Sequence, residues 1–91
     1  MNWYTRSEVK RHNTINDCWL IARYRVYNVS TFLILHPEHI HAVLPKAGTD
    51  VSNDYLFHLK SMKKIWKQYY IGYINPFVIK KKIVNVNIIE K

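Results

Sequence analysis

Two β-rich runs, Cys18 to Ile21 and Arg25 to Val29, stand on either side of Ala22-Arg23-Tyr24. Runs so short and so close read as two strands joined by a turn, and a small sheet becomes the frame for the rest. Before it, Thr5 or Ser7 can cap a short helix that includes Glu8 and Val9. After it, Ser30 or Thr31 starts a turn that carries Phe32 and Leu33 to His36. Pro37 suits the first turn of the next helix, where a missing N–H costs nothing. Pro45 and Gly48 keep that helix short. Ser52 is expected to cap another helix through Tyr55 and Phe57, and Ser61 to cap the longest one. In the longest, Met62, Ile65, Trp66 and Tyr69 fall on one stripe at helical spacing. Gly72 is expected to end it, with Tyr73-Ile74 returning as a strand. Further on, Ile83 to Ile89 is β-prone. No internal repeat interrupts this order, and the pattern predicts an α+β domain.

At 91 residues the chain is one domain with a modest core. The single Cys18 excludes an internal disulfide and any cysteine-rich metal site, so no oxidising compartment is required. Two glycines are too few for a glycine-rich phosphate cradle. The six carboxylates form no evident acid/base pair, and no nucleophile elbow is present, so an enzyme is not expected. Met1-Asn2-Trp3-Tyr4 runs straight into polar sequence with no signal peptide. The longest apolar run, Tyr69 to Ile79, is too short to span a bilayer and is broken by Asn75 and Pro76. The expectation is a soluble monomer, cytoplasmic or at the cytoplasmic face of a membrane.

The formal charge is +8, from 14 Lys and Arg against 6 Asp and Glu. Lys60, Lys63, Lys64 and Lys67 share one helix, and Lys80-Lys81-Lys82 lie near the end. Lysines scattered in this way read as a solvated face rather than a nucleic-acid groove. A positive surface would steer toward an acidic protein or an anionic membrane surface.

Two histidines stand in apolar surroundings, within Phe32-Leu33-Ile34-Leu35-His36-Pro37 and Asp54-Tyr55-Leu56-Phe57-His58. Neutral imidazole is a good iron ligand, and two imidazoles on opposite faces of a haem fill both axial positions. Around them, matched positions run in order from Tyr4-Thr5, Glu8-Val9 and His12-Asn13 to Asp17-Cys18-Trp19. Val26-Tyr27-Asn28-Val29-Ser30, Phe32-Leu33 and His36-Pro37 follow, then Ala47-Gly48, Asp50, Ser52 and Tyr69-Tyr70-Ile71-Gly72. Across about residues 3 to 74 this resembles the cytochrome b5 haem-binding domain.

The resemblance implies a cytochrome b5-like fold, a small mixed sheet with two pairs of short helices forming a haem pocket. Residues 1–74 would be that domain, and 75–91 a carboxy-terminal linker or extra strand. It implies His36 and His58 as axial ligands of a non-covalent heme b, with no Cys-x-x-Cys-His pattern for covalent attachment. The pocket lining would fall on Phe32, Ala42, Val43, Tyr55, Ile65 and Tyr69, with Cys18 and Trp19 in the core beside it. The implied role is one-electron transfer, from a reductase donor to a haem- or iron-oxygenase acceptor. Some positions depart from the family. Glu38 and His39 replace two glycines after His-Pro, and the loop from Tyr55 to His58 is shorter. Leu59 replaces a serine that helps hold a haem propionate, which leaves Lys60 as the nearest substitute. Two rivals stay open, a haem-less or haem-sensing binding module and a basic domain for nucleic acid or anionic lipid. A zinc site at His36, His39 and His41 is disfavoured, because on a helix His39 and His41 point to different faces.

Overall fold

The computed structural model describes residues 2–75. The β-prone stretch from Ile83 to Ile89 and the lysines at 80–82 lie outside the described residues, as does nearly all of the expected 75–91 extension. The elements run β1 (Trp3–Tyr4), α1 (Arg6–Arg11), β2 (Asn13–Thr14), β3 (Asp17–Ala22) and β4 (Arg25–Asn28). Next come α2 (Ser30–Leu35), a 3₁₀ turn (Pro37–His39), α3 (Ile40–Val43) and a second 3₁₀ turn (Leu44–Lys46). α4 (Tyr55–His58), α5 (Lys60–Lys67) and β5 (Tyr70–Ile74) complete them. The five strands form a mixed sheet in the order β1-β5-β4-β3-β2, with β1 parallel to β5 and the other neighbours antiparallel.

The expected hairpin is present, and Trp19, Leu20, Ile21 and Ala22 pair with Asn28, Tyr27, Val26 and Arg25. Its turn sets Arg23 and Tyr24 at φ 51° and 66°. Positive φ at both central residues matches the right-handed twist of the strands, although asparagine and glycine adopt it more readily. Two contacts hold the turn there: Arg23 N–H donates to the Ser52 hydroxyl at 2.8 Å, and Ile74 N–H to the Tyr24 carbonyl at 2.8 Å.

Side chains alternate across a strand. On one face of β3, Cys18, Leu20 and Ala22 join Phe32, Leu33, Val43, Met62 and Trp66 under α2 to α5. On the other, Trp19 and Ile21 join Val9, Val26 and Ile74 under α1. Each fully buried large apolar side chain contributes about 1.5–3 kcal/mol. Trp19 therefore faces away from the helices that follow the sheet, contrary to its expected place beside the pocket. It stacks on His12 at 3.6 Å between ring centres, and His12 Nδ1 lies 2.7 Å from the Asp17 carboxylate. Cys18 does reach the expected core, where burial first and the Asp17 charge second push its thiol up to about 11. It stays protonated and behaves as a small apolar residue.

Several boundaries differ from expectation, each for a local reason. Thr5 caps α1 as anticipated, accepting from Glu8 N–H at 3.0 Å. Asp54, not Ser52, caps α4, accepting from Leu56 N–H at 2.9 Å. Ser52 is engaged instead by Asp50 and by the hairpin turn. Ser61 lies inside α5, because Met62 N–H already closes a turn on the Leu59 carbonyl at 2.9 Å. Gly72 does not end a helix. It sits within β5, where an added Cβ would come 2.5 Å from the Asn2 carbonyl oxygen and 2.8 Å from the Tyr4 ring.

Candidate functional site

Asn28 turns the chain from β4 into α2. Its side-chain oxygen accepts from Ser30 N–H at 3.1 Å and from the Ser30 hydroxyl at 2.7 Å. The same hydroxyl accepts from Cys18 N–H at 2.9 Å, which ties α2 to β3. This anchor aims fully buried Phe32 at the centre of the helical layer. One turn later His36 ends α2, its N–H donating to the Phe32 carbonyl at 2.8 Å. Phe32 gathers four rings: His36 at 4.9 Å, Trp66 at 5.1 Å, His39 at 5.4 Å and Tyr69 at 5.9 Å.

His36 is half-exposed at the edge of this cluster. Its Nδ1 stands 3.5 Å from the Glu38 carboxylate. Nε2 has no hydrogen-bond partner among the described residues. Glu38 is held below its ordinary range, first by its own backbone N–H and then by His36. Glu38 thus stands beside Nδ1 and leaves the far nitrogen open.

His58 ends α4, and Leu59 is extended between α4 and α5. His58 Nε2 donates to the Ser52 carbonyl. The ring borders a cleft shared with Arg25, Tyr27 and Lys63 rather than the Phe32 cluster. Between the two histidines, Phe57 and Trp66 stack at 5.3 Å. A separate space, lined by Val43, Leu56, Phe57 and Trp66 but by neither histidine, holds about 10 Å³, no roomier than one water needs. The structure therefore brings Phe32, His36 and Tyr69 together, with Val43 buried and Ile65 packed half-buried on the same cluster. It does not bring His58 to them. Leu59 is half-buried, Lys60 and Ala42 are exposed, and Tyr55 is 78% exposed.

Residues beyond the expected set also contribute. His39 stacks on Phe32, and Trp66 and Phe57 fill the middle. Trp66 was visible on the helical stripe, whereas nothing local marks Phe57 as the residue that stacks on it. Trp66 Nε1 is buried without a hydrogen-bond partner. The zinc alternative finds no support, since no group of three His, Cys, Asp or Glu among the described residues could hold a metal ion.

Comparison with known proteins decides the family. Residues 5–75 match the family described as cytochrome b5-like Heme/Steroid binding domain. The chain belongs to this family. It is 39% identical over 82 residues to cytochrome b5 isoform B of Arabidopsis thaliana, covering 88% of this chain and 61% of that protein. It is 37% identical over 70 residues to nitrate reductase [NADH] 2 of the same plant, covering 76% of this chain and 8% of the enzyme. Among solved structures, the cytochrome b5 of Ostreococcus tauri virus 2 superposes with TM-score 0.66 at 28% identity, covering 78% of this chain and 94% of that one. The fold is the cytochrome b5 fold, as expected. The chain spans about 55 to 62% of the length of the curated cytochromes b5 it matches. No helix among the described residues is long and apolar enough to cross a membrane.

The family implies a haem, and the donor chemistry of this b5-like domain fits one. His36 presents an unengaged imidazole nitrogen against an apolar, aromatic wall. The second imidazole, His58, has its Nε2 on the Ser52 carbonyl.

Proposed function

We propose that this b5-like domain carries single electrons through a non-covalently held heme b, with His36 and His58 as its axial ligands. One observation supports this above all: the half-exposed His36 ring set against Phe32 at 4.9 Å with its Nε2 unengaged among the described residues. Heme b supplies a reversible one-electron change at iron, and two imidazoles leave no position for substrate. The domain is then a carrier and not an enzyme, taking electrons from a reductase and passing them to a haem- or iron-oxygenase. Phe32, Val43, Ile65 and Tyr69 keep water from the site, which limits reorganisation during transfer. Ala42 and Tyr55, both exposed, would complete the lining. Leu59 and Lys60 occupy the start of α5, where the lysine ammonium offers a propionate its positive partner. Residues 1–74 form the working unit, with 75–91 as its extension.

A second reading draws on a different observation. His58 Nε2 is satisfied by the Ser52 carbonyl, which suits a haem-less or haem-sensing binding module.

Absorption spectra of the purified chain separate the two. A carrier shows low-spin oxidised haem and sharp, split reduced bands that carbon monoxide leaves unchanged. His36→Ala and His58→Ala should each yield high-spin or haem-free protein. If His58→Ala keeps a bis-histidine spectrum, His39 or His41 has taken its place and the ligand assignment fails. A chain that takes up no haem at all favours the second reading.

A further inference from the structure

A cleft of about 390 Å³ opens between α5 and the β3–β4 hairpin, on the side where His58 borders it. Its two long walls are basic. Arg23 and Arg25 line it from the hairpin, and Lys63 and Lys67, one helical turn apart, from α5. No carboxylate among the described residues lines it. Among the described residues the acids near a cation are engaged elsewhere: Asp50 with Arg6, Asp54 with Lys46, Asp17 with His12 and Glu38 with His36. The four cleft cations therefore have no ion-pair partner among the described residues. Like charges gathered on facing walls repel one another, a cost that an anionic occupant relieves.

The end of the cleft is aromatic and already ordered. Tyr70 packs edge-on to Tyr27 at 6.2 Å and to Tyr73 at 5.5 Å. The Arg25 guanidinium lies 6.0 Å from the centre of the Tyr73 ring. A cation held against an aromatic face loses less freedom when it meets a carboxylate.

We propose that this cleft docks an acidic segment of a partner protein. Four cations spread over two walls, with rings between them, suit several carboxylates interleaved with an apolar side chain. A single small anion could meet only a fraction of them. Complementary charge of this kind sets encounter rate and register more than raw affinity. Where the electron-carrier reading holds, a partner seated here lies beside the ligand His58. That consequence rests on the carrier reading, whereas the docking does not.

The test uses the isotope-labelled 91-residue chain and a synthetic peptide of glutamates flanking a phenylalanine, with a lysine peptide of the same design as control. Amide shifts should centre on Arg23, Arg25, Lys63 and Lys67, and binding should weaken as salt screens the charges. The exposed pair Arg25→Gln with Lys63→Gln should lower affinity about tenfold, and Arg23→Gln with Lys67→Gln comparably. Lys10→Gln with Arg11→Gln removes the same charge from α1 and should change it by less than about twofold. Equal losses in all three variants would reduce the effect to net charge and overturn the proposal. It also fails if shifts centre elsewhere, if the lysine peptide binds as well, or if inorganic phosphate at equal concentration gives the same shifts. Binding to phosphatidylserine vesicles without binding to the peptide would assign the cleft to membranes and defeat it too. None of these readouts involves haem, so a failed carrier reading would show separately, in the absorption spectrum.

Discussion

Gly72 shows how one missing side chain shapes the sheet. Its neighbour across β1 approaches so closely that a methyl group would sit inside the contact distance of the Asn2 carbonyl and the Tyr4 ring. Backbone can yield only by giving up the Trp3–Tyr73 and Tyr4–Ile74 register. Gly72→Ala should cost about 1–3 kcal/mol, the usual penalty of overpacking, read as a lower urea midpoint with an unchanged slope. A shift within error would mean that β1 is held by other contacts. Sequence reading took Gly72 for a helix stop, because glycine at the end of a periodic stretch usually is one. The close approach that explains it involves residues from the other end of the chain, which no local pattern reveals. His58 is similar at this scale. Its apolar flanks were legible, but the Ser52 carbonyl that occupies its Nε2 was not.

Elements were more legible than contacts. The hairpin followed from two β-rich runs three residues apart, and the α5 stripe followed from helical spacing. Both signals are short-range and repeat within the element itself. Caps fared unevenly, since Ser52 and Asp54 are equally plausible acceptors until Ser52 is claimed by Asp50 and the Arg23 amide. The hairpin turn carries a prediction of its own. Two side chains at positive φ cost on the order of 1–3 kcal/mol each, and the turn keeps them because surrounding contacts over-determine it. Arg23→Asn together with Tyr24→Gly should recover about 1 kcal/mol, seen as a higher midpoint in thermal or urea unfolding. A loss of stability would show that the Arg6 guanidinium, 5.9 Å above the Tyr24 ring, matters more than the backbone.

For the molecule as a whole, the sheet divides two cores, and Phe32, Val43, Ile65 and Tyr69 belong to the half under α2 to α5. That division was not legible in the sequence, where adjacent Cys18 and Trp19 were both expected beside the pocket, although side chains alternate along a strand. The sequence also withheld the stack of Phe57 on Trp66, since it forms only when α4 packs on α5.

The parallel pairing of β1 with β5 also has a consequence for the order in which the chain assembles. Asn2 and Ile71, joined through the asparagine side chain, stand 69 positions apart. Closing so long a loop is entropically expensive, and a two-residue strand returns few contacts for it. The hairpin and the helices that pack on it can form from near neighbours, so the amino-terminal strand should click into place last, like a clasp on a finished ring. Tyr4→Ala removes the edge contact with Trp19 at 4.9 Å. It should speed unfolding while leaving the folding rate within about twofold in stopped-flow experiments. A folding rate that drops in proportion to the lost stability would place the clasp in the nucleus instead.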